Sequence, residues 1–187
     1  TQSLLSLSLT SACVSLEDRA VAAASSGLKK NTTLRELTLE SDGANTSPIW
    51  IGVRDHPLLR RLSLRGHLVN LTGLETVLQS DTSKITELDI RGVTYGLDSP
   101  IAGLTRVLQA LARRPTLTKL KVSRCPLGRD DARLLCMALR NTPSLQSLAL
   151  TDGSLGRAGL VELAPALYHN VSIEILNMST NMLDDME

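Results

Sequence analysis

The sequence has few aromatic residues: it contains one Trp, two Tyr and no Phe among 187 residues. Hydrophobic residues nevertheless make up 42% of the chain, so a core must be filled almost entirely by aliphatic side chains. An aliphatic interior of this kind favours stacked, repetitive layers over an irregular core built around rings. The length is sufficient for one domain with a substantial core.

Cysteine is also scarce. Three widely spaced Cys residues form neither a disulfide framework nor a zinc-site pattern. We interpret them as reduced core thiols, which predicts an intracellular, cytoplasmic protein. The sequence has no signal-peptide pattern, and no apolar run approaches the roughly 18 residues that a membrane span needs. We therefore expect no membrane partner.

Charge of one sign is not in excess, because 20 basic residues meet 19 acidic ones and leave a net charge of +1. This balance argues against nucleic acid held by bulk electrostatics. The sequence contains no G-x-G-x-x-G, P-loop or H-E-x-x-H motif. His56, His67 and His169 have no partner at ligand or triad spacing. We therefore predict a protein that is not an enzyme, with no catalytic residue, metal, cofactor or small-molecule substrate.

The dominant pattern is L-x-x-L-x-L, which occurs seven times at intervals of 25 to 32 residues. Alternating apolar positions bury one face of a short strand, and self-similarity at this period predicts a solenoid. The three apolar positions of the seven copies are Leu4, Leu7 and Leu9; Leu34, Leu37 and Leu39; Leu59, Leu62 and Leu64; Ile85, Leu88 and Ile90; Leu117, Leu120 and Val122; Leu145, Leu148 and Leu150; and Ile173, Leu176 and Met178.

Helical periodicity fills the intervals between the strands. Apolar residues at i, i+3, i+4 and i+7 predict one buried stripe per helix. The segment Ser47–Val53 differs, because it is short and β-branched. We expect an extended stretch or a single turn there, with Trp50 covering the convex side. The clearest stripes are Leu160, Leu163, Ala164 and Leu167 and, in the same phase, Ala132, Leu135, Cys136 and Leu139.

Two stretches, LTKLKVSRCPLG at 117–128 and IEILNMSTNML at 173–183, identify the family that the chain resembles. The pattern resembles the ribonuclease-inhibitor-like class of leucine-rich repeats. The resemblance implies an α/β fold: a right-handed βα horseshoe arc of about seven repeats, with a parallel concave sheet and helices on the convex side. At the Asn/Cys ladder position of the family, Cys125 and Asn181 fit well, whereas Ala12, Asp42, His67, Val93 and Gly153 do not.

The resemblance covers nearly the whole chain, so we predict a single leucine-rich-repeat domain over residues 1–187. The sequence opens just before a strand and stops where another helix is due. We therefore expect it to be a segment of a longer protein.

The strand positions between the buried leucines carry most of the patterned charge. Parallel strands lie about 4.8 Å apart, so equivalent positions become lateral neighbours. We call Glu36, Arg61, Glu87 and Lys119 the first row, and Glu40, Arg65 and Arg91 the second row. Asp89 and Lys121 lie between the rows. These nine residues form the predicted protein-binding face, called the concave face below.

Two interpretations of the concave face remain open. Fixed charges can supply specificity and faster encounter with a folded protein partner. Alternatively, lateral ion pairs can simply keep a polar sheet soluble, each exposed pair contributing about 0–1 kcal/mol.

Our leading hypothesis is a protein–protein interaction module, the scaffold or sensor segment of an intracellular signalling protein. Two alternatives follow from the same repeat class: an enzyme inhibitor, and a GTPase-activating segment that uses an exposed Arg65, Arg91, Arg124 or Arg129. Five Asn-x-Ser/Thr sequons, considered alone, indicate a secreted glycoprotein. They begin at Asn31, Asn45, Asn70, Asn170 and Asn177.

Overall fold

In the computed structural model, strands and helices alternate strictly along the chain. The structure describes residues 3–11, 18–41, 46–66, 71, 73–92, 100–113, 116–153 and 155–181. The elements of this part of the chain are β1 (Ser6–Ser11), α1 (Asp18–Lys30), β2 (Glu36–Ser41), α2 (Ser47–Val53), β3 (Arg61–Arg65), α3 (Leu74–Gln79), β4 (Glu87–Arg91), α4 (Pro100–Leu111), β5 (Lys119–Ser123), α5 (Arg129–Asn141), β6 (Ser147–Thr151), α6 (Gly156–His169) and β7 (Ile175–Asn177).

The seven strands form one parallel sheet in sequence order, from β1 to β7. Every neighbouring pair is in the register that the leucine alignment predicts; Leu37 pairs with Leu62, Leu62 with Leu88, and Leu88 with Leu120. In the described part of the chain, a helix follows each strand from β1 to β6, and each of these helices packs against its neighbours along the chain. The predicted α/β solenoid arc is confirmed.

The core consists of aliphatic layers formed by β2 to β6 and the helices behind them. The prediction of a buried strand face is wrong for the last repeat, because no described strand follows β7 and Leu176 is 47% exposed. The central strand leucines Leu37, Leu62, Leu88, Leu120 and Leu148 are at most 3% exposed. Helical side chains close each layer from the other side, as predicted for Ala132, Leu135, Cys136 and Leu139 of α5. The buried faces therefore stack into one continuous hydrophobic core.

The prediction for Ser47–Val53 is wrong. The segment is a helix of seven residues that begins with Pro48 in its first turn, and Trp50 is only 1% exposed. Ser25 of α1 donates a hydrogen bond to the Pro48 carbonyl at 2.5 Å. Burial against α1 thus outweighs the weak helix propensity of β-branched residues, and Trp50 belongs to the core.

The stripe predicted for α6 is only partly correct. Leu163 is buried and Leu160 and Leu167 are half-buried, but Ala164 is exposed while Gly159 and Ala166 are buried. Among the described helices, α5 is the one neighbour of α6. The buried face of α6 is therefore turned toward α5.

Three of the turns that precede strands are held by the same kind of hydrogen bonds, from backbone N–H groups to a side-chain acceptor. Asn31 Oδ1 accepts hydrogen bonds from the backbone N–H groups of the second and third residues that follow, at 2.9 and 2.8 Å. Asn170 Oδ1 does the same at 3.0 and 2.8 Å. His56 Nδ1 plays this part in the third repeat, with Leu58 at 3.3 Å and Leu59 at 3.1 Å. Two of the sequon asparagines therefore have a structural role, while Asn45 and Asn70 lie outside the described residues.

Replacing Gly52 by Ala should destabilise the fold by about 1–3 kcal/mol, because a Cβ there would lie 2.7 Å from the Ser25 carbonyl oxygen. Gly27→Ala in α1 is the matched control. A Cβ at position 27 would meet nothing within 4 Å, so that variant should gain about 0.5–1 kcal/mol of helix propensity. Urea denaturation measures both; equal midpoints would contradict the close α1–α2 packing.

Stability should fall as the pH drops below about 6.5, the pKa of an unperturbed histidine. Burial lowers the pKa of His56, which is 4% exposed, although the backbone of Asn31 acts in the opposite direction. The unfolded chain therefore takes up the proton first, and stability present above that pH is lost below it. Urea midpoints between pH ~7.5 and ~5.5 measure this loss.

His56→Asn is the control for this pH dependence. It installs the acceptor found at Asn31 and Asn170, and it does not titrate. The variant should lose less stability than the unmodified chain over the same pH range. An identical pH dependence in both proteins would refute the role of His56.

Candidate functional site

The first row forms a continuous ion-pair chain across four strands. The sheet register sets Glu36 beside Arg61, Arg61 beside Glu87, and Glu87 beside Lys119. Arg61 contacts Glu36 at 2.6 Å and Glu87 at 2.9 Å, and Lys119 contacts the second oxygen of Glu87 at 3.5 Å. The alternating charges predicted from the sequence therefore form ion pairs.

Arg61 is the central cation of this chain. Its hydrogen bond to Glu87, with a further contribution from Glu36, raises the pKa of Arg61 above its ordinary value. Arginine is already cationic at ordinary pH, and these contacts favour its charged form further. Because its charge is balanced by two carboxylates, the first row has little net attraction left for a ligand.

The second row has the predicted register, but its charged side chains, unlike those of the first row, are not joined by ion pairs. Glu40 pairs in register with Arg65, and Arg65 with Arg91. All three residues are exposed. Among the described residues, none of them has an ion-pair partner within 4.0 Å. The charges of this row are therefore available to a ligand.

Asp89, between the two rows, and Ser123, beside the second row, each have a buried polar atom. Asp89 and Lys121 are register neighbours, as predicted, yet the structure shows no ion pair between them. Asp89 Oδ1 and Ser123 Oγ are buried and have no hydrogen-bond partner within the described part of the chain. Ser123 lies beside Arg91 and is 4% exposed. Ser123 follows Lys121 by two residues on the same strand, and nothing in the repeat pattern signals its burial.

The arginines considered for GTPase activation divide into two groups. Arg129 contacts Glu162 at 2.7 Å and Arg124 lies 4.0 Å from Asp152, so both face a carboxylate of the next repeat. Arg65 and Arg91 have no such contact among the described residues.

Other kinds of site have little basis in the described ranges. No group of His, Cys, Asp and Glu side chains there could hold a metal ion. No helix in the same ranges is long and apolar enough to cross a bilayer. An open groove of about 480 Å³ lies between α3, α4 and α5, where Gln79, Gln109, Arg113 and Asn141 meet Leu134 and Met137. The concave face is therefore the candidate site.

Comparison with known proteins gives partial matches. No protein-family model matches the sequence. NACHT, LRR and PYD domains-containing protein 5 from Bos taurus is 34% identical over 129 residues, which is 68% of this chain and 12% of that protein. Its Homo sapiens counterpart is 30% identical over 131 residues, 69% of this chain and 11% of that protein. NACHT, LRR and PYD domains-containing protein 13 from Homo sapiens is 42% identical over 77 residues, 41% of this chain and 7% of that protein.

These relatives carry leucine-rich repeats by name, and the structure has the repeating strand–helix unit. The chain is a leucine-rich-repeat protein. It spans no more than 12% of the length of these relatives.

The leucine-rich-repeat ladder is formed where the residues fit it. Asn181, 2% exposed, donates from Nδ2 to the carbonyls of Leu150 at 2.6 Å and Met178 at 2.8 Å, and its Oδ1 accepts from Gly153 N–H at 3.1 Å. Cys125 Sγ donates weakly to the Ser123 carbonyl at 3.4 Å. At the other ladder positions, Gly153 lacks a side chain, while Ala12, Asp42, His67 and Val93 lie outside the described residues.

Replacing Asn181 by Ala should destabilise this leucine-rich-repeat fold by about 2 kcal/mol, because buried backbone groups of two repeats lose their partners. Asn177→Ala is the matched control. Asn177 is exposed, and its Oδ1 accepts a hydrogen bond from the Ser179 N–H at 3.1 Å. Chemical denaturation of both variants measures the difference, and equal losses would contradict the ladder.

Proposed function

We propose that this leucine-rich-repeat chain is a non-enzymatic module that binds another protein through the concave face. The observation that carries the proposal is the contrast between the two rows. The first row neutralises itself through ion pairs, whereas Glu40, Arg65 and Arg91 remain exposed without such contacts among the described residues. Unpaired fixed charges on a rigid sheet suit electrostatic recognition of a folded partner.

Each of the two interpretations of the concave charges then applies to one row. The first row behaves as a solubilising ion-pair ladder, in which each exposed pair contributes about 0–1 kcal/mol. The second row is the part to which we assign recognition. A partner that binds there displaces few existing contacts.

The similarity to NACHT, LRR and PYD domains-containing proteins supports a wider assignment. We propose that the chain is the scaffold or sensor segment of a cytoplasmic signalling protein. The inhibitor and GTPase-activating alternatives have no specific observation in their favour.

The test is an affinity pull-down that compares a blocked concave face with a blocked convex face. Thr38→Tyr, Ser63→Tyr and Ala149→Tyr together place three bulky neutral side chains between the rows, at half-buried strand positions. The matched control carries Ala22→Tyr, Gln109→Tyr and Ala158→Tyr on exposed helical positions. Both variants add bulk without charge and must first match the unmodified chain in circular dichroism.

Proteins captured by the unmodified chain should be recovered at least about tenfold less by the concave variant and equally by the convex one, because a filled contact surface excludes the partner. Equal capture by all three baits would refute binding at the concave face. Loss with the convex variant alone would assign binding to the helices.

A further inference from the structure

Two arginines occupy neighbouring positions in the second row. Arg65 and Arg91 are register neighbours on β3 and β4, and both are exposed. Like charges directly opposite one another destabilise a sheet. The stability of the sheet therefore does not explain why two arginines are neighbours here.

Of the two arginines, Arg91 is the one without an acidic residue beside it to balance its charge. Its lateral neighbours are Arg65 on one side and Ser123 on the other, and Ser123 is a buried hydroxyl rather than an acid. Asp89 lies on the same strand two residues earlier, but its register neighbour is Lys121, and one of its oxygens is buried. Thus no lateral carboxylate faces Arg91.

The remaining carboxylates of the concave face are poorly placed to compensate. Glu36 and Glu87 are held by the first row, at 2.6 and 2.9 Å from Arg61. Glu40 neighbours Arg65 in register but forms no ion pair with it. Arg65 and Arg91 are therefore adjacent cations that have no ion-pair partner among the described residues.

We propose that Arg65 and Arg91 form a docking point for an acidic segment of the partner protein, whose Asp or Glu carboxylates pair with the two guanidinium groups. The planar guanidinium fork matches a carboxylate in two-point geometry, which a lysine ammonium cannot do. The proposal rests on the concave-face function and specifies the chemistry of the partner.

The surrounding charges favour a short acidic peptide over nucleic acid. The first row is neutralised by its own ion pairs and Glu40 lies beside Arg65, so a continuous phosphate backbone would find few unpaired cations along these strands. A segment with a few carboxylates can place them at the arginines alone. The docking point therefore suits a protein loop or tail with clustered Asp and Glu.

The experiment measures fluorescence anisotropy of a labelled hexaglutamate peptide titrated with the chain at about 50 mM salt, where screening is weak. The variant is Arg65→Gln with Arg91→Gln. The matched control is Arg129→Gln with Arg133→Gln, which removes the same charge from the helical face, where both arginines contact Glu162. A hexaglutamine peptide reports non-specific contact.

The concave double variant should bind hexaglutamate about tenfold more weakly, the loss expected from one or two charge-assisted hydrogen bonds. The helical control should change by less than about twofold, because its arginines are already paired. Equal affinity of all three proteins, or equal weakening in both variants, would overturn the proposal. Tighter binding of a labelled oligonucleotide of the same charge would also overturn it.

Failure of this inference can be separated from failure of the proposed function. If the bulky concave variant loses its captured protein while Arg65→Gln with Arg91→Gln retains it, the concave face binds a partner by other contacts. The acidic docking point is then wrong. If the bulky concave variant captures the protein normally, the proposed function fails, whatever the peptide does.

Discussion

The burial of alternating apolar residues on one face of strands β2 to β6 is the constraint on which this structure depends. A slip of one residue in any of these strands would turn its apolar side chains outward and its polar residues into the core. The penalty acts on each of these five strands, so the register is fixed through the middle of the sheet. The helices then close the aliphatic layers behind it.

The same constraint organises the concave face. Residues 25 to 32 positions apart in sequence become lateral neighbours because the leucines between them are aligned. Arg61 thus lies between Glu36 and Glu87 without any local sequence relation to either. The charge pattern of the surface is a consequence of the packing pattern of the core.

This dependence explains which features were predictable. Strand positions and charge neighbours follow directly from the repeat, because period-2 burial determines both. The helix over Ser47–Val53 did not follow, because its formation depends on burial of Trp50 against neighbouring helices rather than on local propensity. The sequence predicted which charged residues are neighbours, but not which of these neighbours form ion pairs. Glu36–Arg61 closes to 2.6 Å, whereas the equally adjacent Glu40 and Arg65 form no ion pair.

The two kinds of polar contact in this protein therefore serve different ends. Asn181 is buried, and its hydrogen bonds satisfy backbone groups that water cannot reach, so it contributes to stability. The exposed ion pairs of the first row contribute little, since water competes for both partners. Charges on the concave face can consequently change while the core holds the register. Binding specificity in such a solenoid is thus largely independent of the interactions that fold it, which allows one aliphatic framework to carry different recognition surfaces.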